Sequence, residues 1–133
     1  MTTYFSRIDA LLDQVEDIVR RQHKHRGLPP GEVTRWRWDA PDLQIRWQEE
    51  GTHLGKTVQV AVTDEGKFSV EANAWLDIDD AIQGRKRRYV HASVTDGVDL
   101  PGLVEATDRA FAVASAWTSK DLSMVAVVPA NSA

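Results

Sequence analysis

From Val33 to Val94, apolar and polar side chains alternate with a period of two across several turns. That pattern confines the chain to an antiparallel sheet with one apolar face. The alternation predicts that Trp36, Trp38, Ile45, Trp47, Val58, Val60, Val62, Phe68, Val70, Val90, Ala92 and Val94 share one side. Arg35, Arg37, Gln44, Arg46, Gln59, Glu71, Asn73, Tyr89 and His91 then share the other.

Turn chemistry divides this region into strands at Val33–Trp38, Leu43–Glu49, Thr57–Thr63, Lys67–Trp75 and Arg87–Val94. The link Asp39-Ala40-Pro41-Asp42 sets Trp38 opposite Leu43, Trp36 opposite Ile45 and Arg35 opposite Arg46. The loop Asp64-Glu65-Gly66, with glycine at the left-handed position, pairs Val62 with Phe68, Val60 with Val70 and Gln59 with Glu71. The segment Ile78 to Gln83 is read as a helical turn.

Helical spacing of Tyr4, Phe5, Ile8, Leu11, Leu12, Val15, Ile18 and Val19 predicts an N-terminal helix, capped by Thr2 or Thr3 and stopped at Gly27. A second helix is capped by Asp99 or a residue near it and has Pro101 in its first turn, with Leu103, Val104, Ala110, Phe111, Ala114 and Trp117 on its apolar side. One apolar sheet face and two apolar helix stripes combine most economically as an α+β two-layer sandwich. The sheet is a five-stranded antiparallel meander, six-stranded if Met124 to Val128 joins, and both helices cover one face. Residues 1–133 read as a single domain, with 122–133 as an edge strand or tail.

At 42% apolar and 27% charged residues, the chain has the composition of an ordinary folded domain. The absence of cysteine removes disulfides, thiolate nucleophiles and cysteine-bound zinc, and suits a reducing cytoplasm. No apolar stretch reaches the roughly 20 residues that span a bilayer, so no membrane partner is expected.

Functional residues are sought on the polar face. Arg35, Arg37, Arg46, Glu71, Trp75, Tyr89 and His91 form a protein-binding candidate, because arginine and large aromatics concentrate at binding hot spots. The opposition of Arg35 and Arg46 calls for an acidic partner. Arg85, Lys86, Arg87 and Arg88 are the nucleic-acid candidate, disfavoured by a net charge of −4 and by Asp77, Asp79 and Asp80 alongside. The histidines lack metal-ligand spacing, no serine or glycine-rich loop has a catalytic setting, and neither cofactor nor metal is expected.

The function these features favour is a non-enzymatic protein-binding module: an adaptor, immunity-type inhibitor or accessory subunit that binds another protein or its own copy. A nucleic-acid-binding domain is the alternative. A further one is a small-ligand binder or isomerase-like enzyme, whose cavity would be lined by Trp36, Trp38 and Trp117. The order of elements, the size and the acidity are similar to those of the small secretion chaperones of bacterial export systems. That resemblance in layout implies a dimer binding partner segments along a sheet and helix surface.

Overall fold

In a computed structural model of the chain, which describes residues 4–49, 52–63, 66–80, 82, 84–124 and 127–129, the helical spacing near the N-terminus becomes α1, Tyr4–His25. Leu12, Val15 and Val19 are buried, and Ile8, Leu11 and Ile18 pack at the margin. On the solvent side Glu16 pairs with Arg20 at 2.7 Å and Asp17 with Arg21 at 3.2 Å. The helix stops where Gly27 takes φ 64°. The expected threonine cap lies outside the described residues.

Six strands follow, β1 Glu32–Trp36, β2 Asp42–Gln48, β3 Leu54–Val62, β4 Phe68–Asp80, β5 Gly84–Val98 and β6 Val127–Pro129. They lie in one antiparallel sheet in chain order. Between β5 and β6 come α2, Leu103–Ala116, and a short α3, Ser119–Leu122. Leu43, Ile45 and Trp47 of β2, Val58 and Val60 of β3 and Phe68, Val70 and Ala72 of β4 form one core with α1 and α2. Leu54, Ala74 and Leu122 form a second, smaller cluster beneath α3. The helices therefore share one side of the sheet, and the fold is the two-layer α+β sandwich.

The β3–β4 hairpin has the register that the alternation requires, Val62 opposite Phe68, Val60 opposite Val70 and Gln59 opposite Glu71. Gly66 has φ 70°; the rest of that turn, Asp64 and Glu65, lies outside the described residues. The first hairpin differs. β1 pairs with β2 as Val33 with Ile45, Arg35 with Leu43 and Trp36 with Asp42, a three-residue shift from expectation. An odd shift exchanges the two faces of a strand. Arg35 thus joins the helix side and Trp36 the opposite side. Arg46 stands opposite Glu32, so the expected Arg35–Arg46 apposition does not exist.

The charges of α1 match this orientation. Asp9, Asp13 and Glu16 recur at helical spacing beside the apolar stripe of α1, and they receive the guanidinium groups of the first hairpin. Arg35 reaches Asp13 at 2.7 Å and Glu16 at 3.0 Å, and Arg37 reaches Asp9 at 2.9 Å. The Glu16 carboxyl is held below its ordinary range, first by its hydrogen bond from Arg20 and also by Arg35, while partial burial opposes. Trp36 and Trp38 are left 54% and 52% exposed, so they line no interior cavity with Trp117, which packs against the small cluster under α3.

Other expectations are corrected where the sheet is longer or less regular than the sequence suggests. Ile78 to Asp80 continue β4 rather than forming a helical turn, and Gln83 lies outside the described residues. A register shift between Ala72 and Asn73 inserts Ala92 as an extra residue in β5, so Val94 comes opposite Glu71 and is 55% exposed instead of buried. Pro101 lies in the turn before α2, and Asp99 Oδ1 accepts from Gly102 N at 2.8 Å ahead of the first helical residue, Leu103. Val104 faces solvent.

Two buried polar groups brace the core. β3 begins three residues earlier than expected, which brings Lys56 onto the helix side, fully buried. Its Nζ donates to the Ala114 carbonyl at 2.6 Å and lies 3.7 Å from Glu49. The last turn of α2 carries no basic residue of its own, so a cation from the sheet meets the negative end of the helix. Burial pushes the Lys56 pKa down, with Glu49 opposing.

His23 ends the buried stripe of α1, with ring centroids 5.5 Å from Trp47 and 5.9 Å from Phe111. Burial holds its pKa below the ordinary value; a hydrogen bond to the Pro29 backbone opposes this and the Arg20 charge adds to it. Folded chains therefore bind fewer protons at this site than unfolded ones between the lowered pKa and about 6.5, so stability falls as pH drops through that window. Thermal melts from about pH 7.5 down to about 5 are expected to show Tm falling in the native chain, with a flatter profile in His23→Leu. Equal slopes would contradict this assignment.

Candidate functional site: the open sheet face

The described helices all pack on one side, so the other face of the sheet is a wall of side chains without a covering layer. Its rows follow from the register. Trp36 stands beside Asp42; Gln44 beside Gln59, Glu71 and Val94; Arg46 beside Thr57, Asn73 and His91; and Gly55 beside Trp75 and Tyr89.

Trp75 is the structural centre of this wall. Although it lies on the uncovered side, it is only 6% exposed. The ring lies against the bare backbone of Gly55, where an added Cβ would come within 2.3 Å of ring carbons. Two guanidinium groups cover it, Arg46 at 4.8 Å and Arg87 at 5.3 Å from the ring centroid. Arg87 is also tied to Asp77 at 2.8 Å. Arg46 is exposed, and among the described residues no carboxylate pairs with it.

Beside the stack runs a polar chain. Asn73 Nδ2 donates to Thr57 Oγ1 at 3.1 Å, Asn73 Oδ1 lies 2.8 Å from His91 Nδ1, and His91 also contacts the Glu71 carboxylate. The Tyr89 ring meets His91 edge-on at 4.9 Å. Burial raises the Tyr89 pKa, the Glu71 charge raises it further and Arg87 opposes. These links fix the rotamers of Tyr89 and His91, a pre-organised surface that loses little side-chain freedom when it is covered. A His–Glu pair can also exchange protons, but here the His91 side chain is 61% exposed on a flat wall rather than in a cleft.

Of the residues read from sequence as a protein-binding set, the structure brings together Arg46, Glu71, Trp75, Tyr89 and His91. It places Arg35 and Arg37 on the helix side, against the acids of α1. Sequence reasoning missed Arg87 as part of this face, along with Asp42 and the contribution of Trp36. The basic run is divided by strand alternation. Arg85 and Arg87 face Asp79 and Asp77 across β4, at 3.7 and 2.8 Å, while Lys86 and Arg88 stand at alternate positions opposite Ile78 and Leu76. The acidic neighbours thus offset the run through cross-strand pairs.

Among the described residues, no cluster of three or more His, Asp or Glu side chains is placed to hold a metal, and no helix is long and apolar enough to cross a membrane. No protein-family model, curated protein or solved structure matches the chain.

Proposed function

We propose that this chain is a protein-binding module acting through the open face of its sheet, with Arg46, Trp75, Arg87, Tyr89 and His91 at the centre of the contact. The observation that carries this reading is the stack at Trp75. An exposed guanidinium with no carboxylate partner among the described residues sits on an immobilised aromatic base, next to a tyrosine and histidine held by hydrogen bonds and ring contact. Arginine and tyrosine in a pre-organised setting are the residue types that dominate binding energy. A guanidinium awaiting a bidentate acceptor favours an acidic patch on the partner.

The partner is another protein, or a second copy of this chain, met in a reducing cytoplasm that a cysteine-free chain suits. The nucleic-acid reading is less well supported, because two of its four cations face carboxylates in the hairpin. Affinity purification with the native chain and with an Arg46→Glu/Tyr89→Ala variant tests the proposal. Proteins retained by the native chain are expected to be lost from a variant whose circular dichroism is unchanged. Identical retention by both would overturn it, and solution mass at a range of concentrations separates a foreign partner from self-association.

A further inference from the structure

The two edges of the sheet are unlike. β6 is three residues long and ends at Pro129, two devices that blunt an edge against further pairing. β1 is five residues long, without proline, lysine or register irregularity, and four of its five residues are exposed. Its outer backbone edge is a template for another strand.

Beside that edge, on the open face, lies a shallow, largely open hollow bordered by Thr34, Trp36, Asp42, Gln44 and Gln59, with Arg35 at its rim. Trp36 offers an exposed indole, and its cross-strand neighbour Asp42 offers a half-buried carboxylate. Asp42 receives one hydrogen bond, from Gln59 Nε2 at 3.0 Å, and no cation pairs with it among the described residues. Partial burial raises its pKa, the mark of an anion short of compensation. An aromatic face next to a carboxylate is a receptor for a guanidinium or ammonium group, through ring quadrupole and charge together.

The other carboxylates of this edge are already met: Asp13 and Glu16 by Arg35, Glu16 also by Arg20, and Asp9 by Arg37, while Glu32 stands opposite Arg46, which leaves Asp42 as the carboxylate for a partner's cation.

We infer that β1 is the docking edge for an extended basic segment of a partner protein, which adds as a seventh strand and sets an arginine or lysine between Trp36 and Asp42. This rests on the reading of the open face as a protein-binding surface and names the part of the partner that meets its β1 end. Strand addition supplies backbone hydrogen bonds of little sequence preference, while the pocket reads every second side chain.

The test is NMR titration of the full chain with the probe acetyl-Thr-Arg-Thr-Arg-Thr-amide, and with the same peptide carrying glutamate for arginine. Saturable shifts are expected at the Trp36 indole and the β1 amides, with slowed hydrogen exchange of those amides. Asp42→Asn, which keeps the Gln59 contact, and Trp36→Ala are each expected to weaken binding at least fivefold. The acidic peptide is expected to leave these signals unmoved.

Absence of shifts at millimolar probe, equal response to both peptides, or unchanged affinity in Asp42→Asn would overturn the inference. So would free arginine amide reproducing the whole effect, which would assign the pocket to a small cation instead of a strand. Should partner retention fail in Arg46→Glu/Tyr89→Ala yet persist in Asp42→Asn, the basic-strand inference falls while the general reading of the face stands.

Discussion

Gly55→Val is expected to lower the unfolding free energy by roughly 3 kcal/mol, within the range for losing a large aromatic from its packed site. The cost arises at Trp75, not at the backbone. Gly55 and Trp75 are directly paired on the open face, and a Cβ at position 55 would lie 2.3 Å from the ring carbons and 2.7 Å from the indole nitrogen. Neither group can give way easily, because β3 is held on both sides by β2 and β4 and the indole lies under Arg46 and Arg87. The ring must leave the sheet, and both guanidinium groups then lose their platform.

Valine has the better strand propensity, so a propensity argument alone gives the opposite sign. Urea unfolding decides between them. A Trp75→Leu background supplies the control, since Gly55→Val should cost much less once the indole is gone. A Gly55→Val protein within about 0.5 kcal/mol of the native chain would show that Trp75 does not occupy this seat.

The strands differ in how plainly the sequence marks their pairing. The β3–β4 hairpin was readable because two independent signals agree, the single-phase alternation of Val58, Val60, Val62, Phe68 and Val70 and a glycine where the turn needs it. β1 was not readable by alternation, because Val33-Thr34-Arg35-Trp36 is apolar in both phases. A core position for Trp36 puts the strand on the wrong face, since Trp36 lies opposite Asp42 and is exposed.

A second signal lies elsewhere in the chain. Asp9, Asp13 and Glu16 run beside the apolar stripe of α1, where they accept cations from the first hairpin, and Arg35 and Arg37 reach them with Trp36 pointing away. The extra residue at Ala92 has no glycine or proline to mark it, so the reversal of Val94 is visible only in the pairing. Lys56 precedes the strand expected from Thr57, and its burial follows only once the last turn of α2 is placed over it, with the Ala114 carbonyl in reach. On the functional side, Arg46, Glu71 and Trp75 follow from parity on the regularly paired β2, β3 and β4, and Tyr89 and His91 from the stretch of β5 before the extra residue at Ala92, whereas the Trp36–Asp42 pocket depends on the β1–β2 hairpin, whose register the sequence conceals.

The make-up of the open face turns on the orientation of β1, which leaves Trp36 and Asp42 on it and removes Arg35 and Arg37 from it. Because the chain contains no cysteine, single cysteines report on it without background. Trp36→Cys is expected to react with a maleimide in the folded protein at a rate within about tenfold of the unfolded chain, whereas Ile45→Cys, at a position 1% exposed, is slowed by on the order of a thousandfold or more because labelling must await opening. Comparable protection at both positions would mean that Trp36 lies under α1 with Ile45, and would contradict the arrangement proposed for this face.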